Sequence, residues 1–332
     1  MDTILLLTTD QDDVISRAIE SAVGDGGRVV RPAERTLPAV RELLPDSDVV
    51  IGDWSGDLPL GPEEAALGPR VKLIQQPGIG VNFIDVDAWS RAGVPVSNAP
   101  GGNTESVAEW AVTAASFLNR SMGWADAQVR AGEWPQESIL YEGCRELGEC
   151  RVGIVGFGDI GRRAATLFSA YGCEVSYFSR HERPASGLEY RLLPDLVAAS
   201  DIVVVAVPLT PHTRNLIGAS HFDAMPADSI FVNVARGGVV DEGALIDALA
   251  TGSIGGAALD VVATEPLPAD SRLRTLDNVL LSPHVAGGTS TALRRISSMV
   301  AENTARVLRG EPPLWVVQAP SHPVATDPSP SR

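Results

Sequence analysis

Lysine is almost missing from this chain: Lys72 is the sole one, and arginine supplies the rest of the 26 basic residues. That bias reflects genome composition, and no function is read from it. Positive charge as a whole is scarce, since 42 acidic residues leave a net charge of -16. Such a surface repels nucleic acid and anionic lipid, so neither is expected as a partner. An anionic ligand would need its own local cluster of arginine. Cysteine is equally sparse. Cys144, Cys150 and Cys173 form no CxxC pair and no metal-ligand spacing, and they read as free thiols in a reducing compartment with no metal site. Long apolar runs are lacking too, because none reaches the roughly 18 residues of a membrane span. The start, Met1-Asp2-Thr3, has no basic stretch ahead of a cleavable apolar segment. These omissions together give the expectation of a soluble cytoplasmic protein.

What is present is a chain of 332 residues, 44% of them hydrophobic. That length suits two cores better than one. Short apolar runs recur at Ile4–Leu7, Val49–Ile51, Val71–Ile74 and Val94–Val96. After a Gly- and Pro-rich stretch at Asn98–Asn103, a long apolar helix is expected from Thr104 to Met122, with Glu105 and Glu109 near its start. A second series of strands is expected at Val152–Val155, Glu174–Phe178, Ile202–Val205, Ile230–Val234, Ala257–Val261 and Val279–Leu281. A last helix should begin near Gly288 and run to Leu308. Strands alternating with helices point to an α/β fold with parallel sheets. The tail from Gln318, rich in Pro, Ser and Ala, reads as disordered.

The run Gly156-Phe157-Gly158-Asp159-Ile160-Gly161 carries the pattern GxGxxG. An apolar strand precedes it and a helical pattern follows, which is the context that gives the pattern meaning. Gly156 permits a tight turn, Gly158 lets a pyrophosphate approach the backbone, and Gly161 lets helix and strand pack closely. The helix N-terminus then offers amide donors to the anion. About 20 residues on, a carboxylate would accept the ribose hydroxyls of NAD. Ser179 and Arg180 stand there instead. A hydroxyl followed by a guanidinium suits the 2'-phosphate of NADP, so NADP is favoured, with NAD as the alternative. A solvated loop charge at Arg180 is the plainer reading.

Three later segments end in titratable groups: Asn233-Val234-Ala235-Arg236-Gly237-Gly238, Asp260-Val261-Val262-Ala263-Thr264-Glu265-Pro266 and Ser282-Pro283-His284-Val285-Ala286-Gly287. Each follows an expected strand, and open α/β sheets bind ligands at that edge. Singly, each has a structural explanation: Arg236 paired with Asp241, Glu265 a solvated loop acid, His284 a core histidine. Together with the cradle and with Pro77-Gly78-Ile79-Gly80 through Val107-Ala108-Glu109, they resemble the D-isomer-specific 2-hydroxyacid dehydrogenase family from about Val71 to Arg309.

The resemblance implies two Rossmann-like, doubly wound parallel-sheet domains with the active site in the cleft between them. Residues 1–98 plus 289–317 would bind substrate, residues 99–288 would bind the dinucleotide, and 318–332 would be the tail. It implies Arg236 as the carboxylate grip, His284 as the acid, and Glu265 as the group that orients and charges His284. Ile79 and Gly80 would cradle the substrate carboxylate, and Asp260 would meet the nicotinamide. Val207, Pro208, Thr213, Val234, Ala235 and Gly287 would add cofactor contacts. Gln76 stands where phosphoglycerate-directed relatives usually carry arginine, so a small unphosphorylated 2-oxo acid of glyoxylate or hydroxypyruvate type is expected. Phosphorylated acids and a dinucleotide-sensing corepressor are the rivals. A homodimer is expected through the long helix and the arm after it. The apolar face of Val107, Trp110, Ala111, Ala114 and Leu118 fits that, and fits simple core packing equally.

Overall fold

The computed structural model describes residues 1–142 and 144–317. The tail expected to be disordered lies outside them. The chain divides into two compact units, one of Met1–Gly102 together with the chain from Leu293, the other of Asn103–Ala292.

The first unit is built on five parallel strands: β1 (Asp2–Leu6), β2 (Gly27–Val30), β3 (Val49–Ile51), β4 (Leu73–Gln75) and β5 (Val96–Ser97). Their order is β2-β1-β3-β4-β5, with the winding direction reversing between β1 and β3. Alternation decides which face each residue covers. Leu5, Val50, Ile74 and Val96 join one core, while Ile4, Leu6, Val49, Ile51 and Leu73 join the other. Asp10 starts the helix Val14–Val23, its carboxylate accepting the N–H groups of Ile15 and Ser16. Asp85 caps the helix Val86–Arg91 by accepting the Ala88 N–H at 2.8 Å. The edge strand β2 escapes a search for apolar runs, since Gly27-Arg28-Val29-Val30 is short and only partly buried.

The second unit carries seven parallel strands: β6 (Arg151–Val155), β7 (Glu174–Phe178), β8 (Glu189–Tyr190), β9 (Ile202–Val205), β10 (Ile230–Asn233), β11 (Gly256–Leu259) and β12 (Val279–Leu281). The order β12-β11-β10-β9-β6-β7-β8 reverses between β6 and β9, as in a doubly wound sheet. β10 stops one residue before the expected Val234 because Asn233 turns the chain, its Oδ1 accepting the Ala235 N–H and its Nδ2 donating to the Arg236 carbonyl. β11 stops two residues before the expected Val261, where Asp260 leaves the ladder to hold another loop.

The long helix is also shorter than expected. It spans Thr104–Asn119, and Ser121 in left-handed conformation separates it from a second helix, Met122–Arg130. Its apolar face belongs to the unit's own core: Val107, Ala111 and Ala114 are buried there, with Trp110 and Leu118 packed against them. The exposed apolar surface lies further on. Trp124 and Val129 are exposed on the second helix, followed by Trp134, 76% exposed, and Tyr141, 82% exposed.

Candidate active site

The cradle is built by close approach. Gly156 sits at φ +103°, and a Cβ there would lie 2.6 Å from both the Ala206 carbonyl and Val207. A Cβ on Gly161 would lie 1.9 Å from the Gly156 carbonyl oxygen. No side chain other than hydrogen fits either position. Around Gly158 the space is open, and it serves as N-cap of the helix Asp159–Ala170 without a side-chain cap. The helix N-terminus therefore faces open space with its first amides uncapped, which is the arrangement that accepts a pyrophosphate. Phe157 points the other way. Its ring stacks on Tyr177 at 4.0 Å and is buried, which leaves only its backbone to a ligand. Ile160 also packs on the core.

The strand end beside the cradle carries Ser179 and Arg180. Arg180 is exposed. Ser179 Oγ donates to the His181 carbonyl at 2.6 Å, so its proton is used within the loop and must be released before it can serve a phosphate. Tyr177 Oη accepts the Arg183 N–H at 2.6 Å and fixes the loop from beneath. On the next loop Thr213 Oγ1 donates to the Pro208 carbonyl at 2.6 Å, and Val207 and Pro208 lie just past β9.

At the other end of the sheet, the loops after β10, β11 and β12 bring the three titratable residues together. The His284 Nδ1–H donates to Glu265 Oε2 at 2.8 Å, while Glu265 Oε1 accepts the Val262 N–H at 3.2 Å. Burial alone would raise the Glu265 pKa. The hydrogen bond and charge of His284, the Val262 N–H and the charge of Arg236 outweigh it and hold the carboxyl below its ordinary value. Arg236 responds to both acids. Burial lowers its pKa, and Glu265 and Asp260 oppose that shift by Coulomb attraction. Its Nη1 donates to the Ala235 carbonyl at 2.7 Å. Its Nε is buried with no protein partner. Asp241 does not pair with it. That carboxylate instead caps the helix Glu242–Thr251 by accepting the Ala244 N–H.

Asp260 has a role the sequence did not expose. It is 4% exposed. Its Oδ1 accepts Ser282 Oγ–H at 2.5 Å and the Val285 N–H at 2.7 Å, and Oδ2 accepts the Ala286 N–H at 2.9 Å. Its carbonyl accepts the His284 N–H at 2.8 Å. The carboxylate thus shapes the loop that presents His284, which sits in left-handed conformation at φ 55°. Gly287 ends that loop, where a Cβ would meet Asn103 Nδ2 at 2.6 Å. Val234 and Ala235 are buried beside Arg236.

In the first unit, Ile79 and Gly80 follow β4 in a loop held by its carbonyls, with Asn98 Nδ2 donating to Ile79 O and the Ala99 N–H donating to Gly78 O, both at 2.9 Å. Gln76 is buried, its Nε2 donating to the Asp53 carbonyl at 3.2 Å. Trp54 is exposed, its indole N–H donating to Thr9 Oγ1. Of the other described histidines, His181 and His212 are exposed, while His221 is half-buried and its Nδ1 accepts the Gly218 N–H at a helix start. All three cysteines are free, and burial pushes Cys173 up to about 11. Among the described residues no helix is long and apolar enough to cross a membrane, and no cluster of His, Cys, Asp and Glu could hold a metal.

Comparison with known proteins identifies the family of the chain. Residues 112–286 match the model of the D-isomer-specific 2-hydroxyacid dehydrogenase NAD binding domain. A glyoxylate reductase of Aeropyrum pernix is 40% identical over 255 residues, covering 74% of this chain and 76% of that protein. A D-3-phosphoglycerate dehydrogenase of Mycobacterium leprae is 34% identical across 94% of this chain, which spans 58% of that longer protein. The crystal structure of an NADPH-dependent glyoxylate/hydroxypyruvate reductase from Sinorhizobium meliloti, in complex with NADP and malonate, superposes with a TM-score of 0.82 at 27% identity, covering 95% of this chain and 96% of that one. A D-lactate dehydrogenase with NAD+ from Lactobacillus jensenii gives 0.78 at 28% identity, over 96% of this chain and 100% of that one.

Proposed function

The chain belongs to the D-isomer-specific 2-hydroxyacid dehydrogenase family, and on that premise we propose that it reduces a small unphosphorylated 2-oxo acid, of glyoxylate or hydroxypyruvate type, with His284 as the general acid. Family membership makes it a nicotinamide-dependent oxidoreductase of 2-hydroxy acids. The observation that carries the finer reading is the Glu265–His284 hydrogen bond at 2.8 Å beside a guanidinium with an unpartnered, buried Nε.

Gly156–Gly161 would hold the pyrophosphate of a dinucleotide, whose nicotinamide would supply a hydride when bound. The rest falls to side chains. Arg236 grips the substrate carboxylate through charge-assisted hydrogen bonds and fixes the carbonyl's orientation. Glu265 occupies Nδ1 of His284, fixes the ring's orientation and leaves Nε2 for the substrate. Nε2 gives its proton to the carbonyl oxygen as that oxygen becomes an alkoxide. The 2-oxo acid gains one hydride at carbon and one proton at oxygen, and the 2-hydroxy acid leaves. Ile79 and Gly80 serve the substrate carboxylate in this reading, and Asp260 acts chiefly by shaping the His284 loop.

The substrate choice rests on Gln76, a neutral residue committed to the Asp53 carbonyl. It offers no cation to a phosphate. The cofactor choice is NADP over NAD, supported by Arg180 and by the lack of a carboxylate at the end of β7. The assembly is a homodimer through the arm carrying Trp124, Trp134 and Tyr141. Sedimentation of a Trp134→Glu variant tests it, and an unchanged sedimentation coefficient refutes that surface. The deciding experiment for function is a nicotinamide absorbance assay over a panel of 2-oxo acids, phosphorylated and not, with NADH and NADPH. Faster turnover of the phosphorylated members would overturn the substrate assignment, and no turnover at all would leave a dinucleotide-binding module.

A further inference from the structure

Glu265 can meet His284 only if the turn from Val262 to Glu265 keeps its shape, and that turn is mostly exposed. Two contacts hold it from the neighbouring segment, the one that begins with Arg236. Gly237 presses directly on the Val262–Ala263 peptide, where a Cβ would lie 1.9 Å from the Val262 oxygen. Five residues later Glu242 Oε2 accepts the Ala263 N–H at 2.7 Å. Glu242 is well anchored for this. It is the first residue of the helix Glu242–Thr251, behind the Asp241 cap, and the Asp241 N–H is itself bound to the Ile217 carbonyl at 2.8 Å.

We propose that Glu242 is a positioning residue for the reduction: by accepting the Ala263 N–H it holds the 262–265 turn in the shape that lets Glu265 reach His284. The inference rests on the role given to the Glu265–His284 pair above. It couples two loops that the chemistry needs in register, the Arg236 loop and the Glu265 loop, through one hydrogen bond and one backbone contact. The charged groups facing Glu265 are His284 from the loop after β12 and Arg236 from the loop after β10. Glu242 reaches only the turn behind it. The plain alternative is that Glu242 is an acid in the first turn of a helix, favoured by the helix dipole and nothing more.

Three variants separate the two roles. Glu242→Gln keeps an acceptor oxygen at the same reach and loses the charge. Glu242→Asp keeps the charge at the helix start and loses the reach. Glu242→Ala loses both. Positioning predicts that Gln resembles wild type, while Asp and Ala both lower kcat/KM for the reduction about tenfold, the upper scale of one ordinary intramolecular hydrogen bond. In those two variants the acid limb of the kcat/KM profile also moves to higher pH, because a Glu265 carboxyl that loses His284 returns toward its ordinary value. A second readout needs no substrate. The carbon-13 titration of the Glu265 carboxyl should lie below the ordinary range in wild type and Gln, and move up toward it in Asp and Ala. If the oxo-acid panel gives no turnover, the functional reading falls while this titration still decides the placement of Glu265. A Gln variant as impaired as Ala, or Asp and Ala variants with wild-type titration and pH profile, would overturn the proposal.

Discussion

The two ends of the second unit's sheet present their functional side chains differently. After β10, β11 and β12, each titratable group is held by protein partners: His284 by Glu265, Glu265 by Val262, Arg236 by Ala235. After β6 and β7, the backbone is fixed by glycine contacts and by Tyr177, but Arg180 is exposed and the helix N-terminus lacks a side-chain cap. One end is organised before any ligand arrives. The other supplies a rigid floor and leaves its charged group to the ligand. Preorganised groups are the ones whose loss removes transition-state stabilisation, whereas an exposed charge contributes little beyond selectivity.

The difference can be broken most sharply at His284. With the acid gone, kcat should fall about a hundredfold to ten-thousandfold. Cofactor binding, measured by fluorescence titration, should stay near wild type. A His284→Ala enzyme with wild-type kcat at saturating oxo acid would sink the assignment. Next comes Arg236→Ala. Losing a charged hydrogen bond to the carboxylate should raise KM by about tenfold to a hundredfold, with only partial recovery in Arg236→Lys because an ammonium lacks the fork. An unchanged KM for every active oxo acid would rule the grip out.

Glu265→Gln should act on pH more than on rate. The carboxyl lies below its ordinary value, so it keeps its charge further into acid than a free carboxylate would. The amide still accepts a hydrogen bond but cannot titrate, so the loss of oxo-acid reduction as pH falls through the Glu265 carboxyl should be blunted. The linked effect on stability has the same pH window. A depressed carboxyl stabilises the fold above its unfolded pKa, and that contribution is lost as pH falls through the folded value. The Glu265→Gln melting curve should therefore be flatter on the acid side. Superimposable kcat/KM profiles against pH would show that the Glu265 charge plays no part in the reduction.

The smallest effect belongs to the exposed end. Arg180→Ala should lower the NADPH-over-NADH ratio of kcat/KM by no more than about fivefold, the range of a solvated ion pair. Ser179→Asp should reverse preference by placing a carboxylate where the 2'-phosphate would lie. A wild-type ratio well below one refutes the NADP preference while leaving the roles proposed for the cradle, Arg236, Glu265 and His284 untouched.

Legibility in the sequence follows the same division. The strands β6, β7, β9, β10, β11 and β12 were plain because buried parallel strands read as apolar runs. Edge strands β2 and β8 were not, being short and half-covered. Arg236, Glu265 and His284 stood out as charged or titratable residues just past such runs. Their supports did not. Asp260 looked like a cofactor contact, since nothing in Asp260-Val261-Val262 tells that both its oxygens turn back on Ser282, Val285 and Ala286. Glu242 carries no sequence signal beyond that of an acid at a helix start. Pairings between residues 21 to 26 apart depend on which strand ends lie side by side, and that order is set by the sheet. The long helix was overrun to Met122 because Ser121 carries no turn signal of its own.

His284 occupies backbone that disfavours any residue with a Cβ by about 1 kcal/mol or more. Glycine would take the same φ without that cost. A redesign of this chain for heat resistance alone would thus be drawn to remove the imidazole proposed as the acid, and activity must be assayed alongside melting temperature whenever the loop after β12 is altered.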